Sequence, residues 1–79
     1  MYETIQDEVV AGKVIDCVVE TSTRLNAVMW LVKERCPEEE FLVCRERVVA
    51  VMGDLYDIVR PLAERHPHLS PPGYFPDLE

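Results

Sequence analysis

Basic residues are scarce in this sequence of 79 residues. Eight lysines and arginines stand against fifteen aspartates and glutamates, which gives a net charge of −7 and an isoelectric point near 4.7. The small basic clusters Lys33/Arg35 and Arg45/Arg47 are interleaved with glutamates, so we interpret them as solvated helix faces. Nucleic-acid phosphates and anionic lipid surfaces both select cationic proteins. We therefore expect no direct nucleic-acid binding and no membrane binding.

Long hydrophobic runs and paired cysteine motifs are also lacking. The apolar run at 27–32 is far shorter than the roughly 18–20 residues that cross a bilayer. The acidic segment 1–3 does not resemble a secretion signal, so we expect a cytoplasmic protein. No CxxC pair supports a zinc ribbon or a thioredoxin-like redox motif, and we expect the thiols to be small buried side chains. The cysteines are Cys17, Cys36 and Cys44.

Helical periodicity from Val9 to His66 predicts two long helices. We place helix 1 at about 3–35 and helix 2 at about 37–66, with Pro37 separating them because it disfavours helical geometry in the residue before it. The predicted fold is an all-α helical hairpin over residues 1–66, built from two antiparallel helices.

Helix 1 carries two apolar stripes. The stripe that we assign to contacts with helix 2 consists of Val10, Val14, Cys17, Val18, Thr21, Leu25, Val28, Val32 and Cys36. The second stripe consists of Ile15, Val19, Met29 and Trp30. Helix 2 carries one seam at three- and four-residue steps, formed by Phe41, Cys44, Val48, Val51, Leu55, Ile58 and Leu62. Pro61 is expected to kink or end helix 2.

Residues 67–79 are rich in proline and have no helical period, so we predict an extended C-terminal tail. Its aromatic pair, Tyr74 and Phe75, is more apolar than a passive linker needs. Two alternatives stay open: the tail inserts into a groove of a partner, or it lies across its own helices and covers Pro61.

A lone hairpin of this size is a thin object. Even a compact chain of this mass buries only about 60–65% of its unfolded surface, and a hairpin buries less. We therefore predict a homodimer of hairpins, which is a four-helix bundle. The predicted interface, with a second copy or with another protein, consists of Ile15, Val19, Met29, Trp30, Tyr74 and Phe75.

No catalytic set is evident in the sequence. His66 and His68 lie at the helix end and in the tail, far along the chain from Cys44, and two imidazoles alone are a weak metal site. We therefore predict neither catalytic residues nor a cofactor nor a metal.

One short segment resembles an enzyme family. Asp54 and Asp57 in the stretch 52–59 resemble the ExxD helix of all-α nucleotide pyrophosphohydrolases of the MazG type. The resemblance implies a Mg²⁺-dependent enzyme with Asp54, Asp57 and Glu20 as metal ligands. The sequence departs from that pattern because Asp54 stands in place of Glu, and because helix 1 offers Asp16 and Glu20 in place of an ExxE pair.

The leading prediction is a non-enzymatic, small acidic protein that associates stoichiometrically with a partner protein and inhibits or sequesters it. Immunity proteins, antitoxins and phage-encoded inhibitors have this general character. A specific alternative is that the acidic surface mimics nucleic acid and occupies the basic cleft of a nuclease or DNA-binding protein. The metal-dependent pyrophosphohydrolase is a further alternative.

Overall fold

The computed structural model describes residues 4–78. Within that range the chain forms two long α-helices, α1 (Glu8–Arg35) and α2 (Glu38–Arg65), packed against each other as an antiparallel hairpin. Two short 3₁₀ helices follow, at Pro67–Leu69 and Pro76–Leu78. The prediction of an all-α helical hairpin is confirmed.

Helix α1 begins at Glu8, later than the predicted start near residue 3, which lies outside the described residues. The reason is an N-cap: the Asp7 carboxylate accepts hydrogen bonds from the backbone N–H groups of Val9 at 2.9 Å and Val10 at 3.1 Å. These bonds satisfy two donors that have no partner within the helix.

The turn between the helices is short because Pro37 enforces it. Cys36 is extended, with φ −117° and ψ 157°, as expected for a residue before proline. Its N–H still donates to the carbonyl of Val32 at 2.9 Å and closes α1. Helix α2 then begins at Glu38. The acidic residues 38–40 lie in its first turn, where carboxylates interact favourably with the positive end of the helix dipole.

Helix α2 passes through Pro61 and ends four residues later at Arg65, so the proline does not end the helix. The last turn is completed by His66, whose backbone N–H donates to the carbonyl of Leu62 at 2.8 Å.

The hydrophobic core lies at the end of the hairpin remote from the turn. It combines the first half of α1, the second half of α2 and the tail, and its buried members are Ala11, Ile15, Val18, Val59, Leu62, Ala63 and Phe75.

The face of α1 that meets α2 differs from the predicted stripe. Its buried residues are Ala11, Ile15, Val18 and Met29. Of the predicted stripe, Val18 is buried, while Val10, Cys17 and Val28 are exposed. Steps of four and three residues starting at Ala11 reach Ile15 and Val18, and this heptad spacing keeps one seam against a straight antiparallel partner. The expectation that the thiols are buried is wrong for Cys17, which lies on the exposed side of that seam.

The tail is folded onto the helices, not extended. Phe75 enters the core, and Arg60 of α2 donates hydrogen bonds to both carboxylate oxygens of Asp77, at 3.0 and 2.6 Å. These bonds hold the pKa of Asp77 below its ordinary value. Between the two 3₁₀ helices the chain turns at Gly73, whose φ of +81° is a conformation that side chains disfavour.

The molecule is elongated, with extents of 45 × 25 × 23 Å and a radius of gyration of 14.9 Å. A compact domain of this length has a radius of gyration of about 12 Å. The exposed surface is 6006 Å², whereas a compact monomer of this mass exposes about 4,900 Å². The hairpin therefore leaves surface uncovered that a globular chain would bury.

Candidate functional site

The structure separates the six predicted interface residues into three groups. Ile15, Met29 and Phe75 are buried by their own chain, and Val19 and Tyr74 are half-buried beside the core. Only Trp30 keeps most of its side chain available, with 56% of its surface exposed. That these six residues form an interface stays a prediction. The apolar surfaces of Ile15, Met29 and Phe75, however, are already buried by intramolecular packing.

Trp30 borders an open groove between α1 and α2 in the half of the hairpin nearest the turn. The groove has a volume of about 270 Å³. Its lining combines two aromatic rings, four aliphatic or thioether side chains, an amide and two cations: Asn26, Met29, Trp30, Lys33, Phe41, Arg45, Val48, Val49 and Met52.

Lys33 lies against both aromatic rings of the groove. Its Nζ is 5.0 Å from the centroid of the Trp30 ring and 5.9 Å from that of Phe41. Such cation–π contacts are worth about 0.5–1 kcal/mol each at exposed sites. They place the ammonium group at the edge of an apolar surface.

A second hollow of about 320 Å³ continues the groove toward the core. The two hollows share Asn26 and Met52. The second one is lined by Ser22, Thr23, Asn26, Met52, Tyr56 and Tyr74. Its far wall is an aromatic cluster in which the ring centroids of Tyr56 and Tyr74 are 5.1 Å apart. The open face therefore extends from the turn to the edge of the tail.

The groove exists because the seam of this half is only partly covered. Met29 is the buried member there, and its Sδ lies 3.6 Å from the Sγ of Cys44 across the helix pair. Leu25 and Val48 on the same seam are half-buried. Two helices alone cover each other along one stripe, and the side chains that flank that stripe need a third element.

Sequence reasoning missed part of this site. Helical spacing predicts only a seam position for Phe41 and Val48 and a solvated face for Arg45. Arg45 and Val49 lie one position beyond the seam residues Cys44 and Val48, on the groove side. The signal available in the sequence was an apolar residue, Val49, placed four residues after the cation Arg45.

The two histidines tie the chain ends of the hairpin together. The buried His66 lies with its Nε2 3.0 Å from the carbonyl oxygen of Ile5, to which it donates, and His68 contacts the carboxylate of Glu8. Cys44 is 22 residues before His66, the residue that caps the C-terminus of α2, which corresponds to ~33 Å along the helix axis. The structure therefore does not bring the Cys44 thiol to an imidazole.

The carboxylates of the proposed metal set are not brought together either. Across residues 4–78 no three His, Cys, Asp or Glu side chains converge in a way that would hold a metal ion. Asp54, Asp57 and Glu20 therefore do not form the ligand set that the pyrophosphohydrolase resemblance implies.

Comparison of the chain with protein-family models, with curated proteins and with solved structures finds no match. Neither α1 nor α2 has an apolar stretch of the length that crosses a membrane, and this holds for all of the chain that the structure describes.

Proposed function

We propose that the protein is a non-enzymatic binding protein that associates stoichiometrically with a partner protein and thereby inhibits or sequesters it. The observation that carries the proposal is the exposed indole of Trp30 on the rim of an open apolar groove. Tryptophan is among the residues most enriched at the centres of protein interfaces, because it offers a large rigid surface at low entropic cost.

The groove is suited to a protein segment rather than to an enclosed small molecule. It is open along its length and continues into the second hollow. Such a groove resembles the surfaces on which an amphipathic helix lays its apolar face.

The test compares two exposed apolar residues of α1. Trp30 borders the groove, whereas Leu31, 51% exposed, does not. Affinity capture from the native cell is carried out with the wild type, Trp30→Ala and Leu31→Ala, and the mass of the purified complex is measured by light scattering. We expect a complex of fixed stoichiometry that Trp30→Ala loses and Leu31→Ala keeps. Equal capture by both variants would refute the groove as the working surface.

We also propose that two copies pair through the opposite face of the hairpin. Val28 is two residues from Trp30, which is about 200° around the helix, and Val51 has the same relation to Val49. Val28, Val51 and Ile58 are all exposed and line neither hollow. The protein exposes about 1,100 Å² more surface than a compact monomer of its mass, and this excess is larger than the roughly 800 Å² that each subunit buries in a standard interface.

Light scattering of the purified protein tests this pairing. We expect a mass of twice 9.1 kDa for the wild type. Ile58→Asp should give a monomer, whereas Val49→Asp on the groove side should remain a dimer. A dimer that survives Ile58→Asp and is lost with Val49→Asp would place the second copy on the groove and contradict the assignment.

A further inference from the structure

Among the described residues that line the groove there is no carboxylate, which is unusual for this chain. Aspartate and glutamate make up 15 of the 79 residues. Neither hollow includes one in its lining, yet the first includes two cations, Lys33 and Arg45. The local charge of the groove is therefore opposite to the net charge of the protein.

Neither of these two cations has an ion-pair partner within residues 4–78. The same holds for Lys13, Arg35, Arg47 and Arg65, whereas Arg24 pairs with Glu20 at 3.0 Å and Arg60 with Glu64 at 2.7 Å.

The sequence explains this difference. Arg24 and Arg60 each have a glutamate four residues away, the spacing at which side chains meet on a helix. Lys33 and Arg45 have no acidic residue three or four positions away on either side. Their neighbours at these positions are Met29, Trp30, Cys36 and Pro37 for Lys33, and Phe41, Leu42, Val48 and Val49 for Arg45.

The surroundings of Lys33 favour a carboxylate that arrives together with an apolar surface. The Trp30 and Phe41 rings occupy only part of the space around the ammonium group, which has three N–H donors. A carboxylate can therefore accept from Lys33 while the rings keep their contacts. Apolar side chains beside that carboxylate would cover Met29, Val48 and Met52 on the groove floor, which removes water from the ion pair and strengthens it.

We propose that the groove receives an acidic amphipathic helix of the partner protein, with apolar residues on the groove floor and carboxylates paired to Lys33 and Arg45. This inference rests on the proposed function and adds the chemistry of the partner. Long polyanions fit poorly, because the net charge of −7 repels them beyond the groove. A single helix presents two or three carboxylates locally and places apolar residues at three- and four-residue steps.

Selection from a library of random 16-residue peptides tests the proposal. The library is selected on the wild type and, in parallel, on the double variant Lys33→Glu/Arg45→Glu. A matched control, Lys13→Glu/Arg47→Glu, makes the same change in net charge at cations outside both linings. Circular dichroism verifies that all variants stay helical.

Binding of the selected peptides is read in two ways. Trp30 is the only tryptophan of the chain, so a blue shift of its emission reports that a peptide covers the groove. Fluorescence polarisation of labelled peptides gives the affinity for each variant, including Trp30→Ala.

We expect peptides with acidic residues flanking leucine, methionine or aromatic residues at helical spacing. They should bind Lys33→Glu/Arg45→Glu at least tenfold more weakly and bind the control as they bind the wild type. Peptides that shift the Trp30 emission but carry no excess of acidic residues would overturn this inference and leave the proposed function standing. Failure to select any peptide that depends on Trp30 would overturn both.

Discussion

At the end remote from the turn, the seam between α1 and α2 is covered by a third element, the folded tail. Phe75 belongs to the same core cluster as Ile15, Val59 and Leu62, and these side chains are almost fully buried. At the turn end the same two helices continue with the same spacing, but nothing covers their seam. Met29 is the single buried residue there, and Trp30 of α1 and Val49 of α2 stand exposed on the groove side.

The difference between these two ends shows what a helix pair lacks. Two packed helices bury one stripe from each helix and leave an open groove on each side of their contact. At the end remote from the turn, the tail covers one such groove by inserting the aromatic side chain of Phe75 and by forming the ion pair Arg60–Asp77. The partner helix proposed for the groove would use the same two kinds of contact at the other end.

The largest effect should come from removing a core leucine at the covered end. Leu62 is 2% exposed, so Leu62→Ala should lower the free energy of unfolding by about 2–5 kcal/mol. Leu25 lies half-buried on the seam of the open end, and Leu25→Ala should cost only about 1–1.5 kcal/mol. Urea unfolding followed by circular dichroism measures both. Equal losses would show that the two ends are equally well packed.

The next effect concerns the tail itself. Phe75→Ala should cost about 3 kcal/mol, the lower limit for a buried phenylalanine, since a short tail can partly relax into the space. Pro72→Ala, an exposed change on the same segment, is the matched control and should have a far smaller effect. If the tail served only to bind a partner, Phe75→Ala would leave the midpoint of thermal unfolding unchanged.

A smaller contrast is expected in the wild type. Amide hydrogens of α1 and α2 near the core should exchange more slowly than those between Leu25 and Val48, because local opening at the open end exposes little buried apolar surface. A difference of tenfold or more, equivalent to ~1.4 kcal/mol, is expected by mass spectrometry or NMR. A uniform exchange rate along both helices would contradict the contrast. Addition of a groove-binding peptide should slow exchange at the open end alone.

The smallest effect is the pH dependence of tail docking. Hydrogen bonds from Arg60 lower the pKa of Asp77 from its ordinary value of 3.8. The stabilisation is therefore fully present above that value and is lost as the pH falls through the lowered pKa. We expect near-ultraviolet circular dichroism of the Tyr56–Tyr74 cluster to weaken below about pH 4. Asp77→Asn should lack this component, and identical titrations of the two proteins would exclude the ion pair as its source.

The hairpin itself was predictable from the sequence because its determinants are local. Periodicity defines both helices and Pro37 forces the turn, whereas the predicted start of α1 near residue 3 is too early because it misses the Asp7 cap. The phase of the seam was not predictable. Apolar residues cover more than half of the circumference of α1, so several stripes have the required spacing. Packing of Ile15 and Met29 against α2 decides among them.

The groove was predictable only in part. Trp30 was identified because it lies on a second apolar stripe, and the structure leaves it exposed. The roles of Lys33 and Arg45 depend on which side of the seam faces Phe41 and on where the tail ends. Both are tertiary features, and the tail was expected to be extended because proline-rich composition does not reveal that Phe75 has a place to pack.

The antiparallel course of the helices also determines where labels, tags or fused proteins can be attached. Ile5 meets His66, and Leu78 packs beside the core, so the first and last parts of the described chain emerge at the same pole. A fluorescent label, purification tag or fused protein attached close to Ile5 or Leu78 would lie at that end of the molecule, which is 45 Å long and has the Pro37 turn at its other end. A protein immobilised on a sensor chip through such a tag would expose the half that contains Trp30 to the injected analyte.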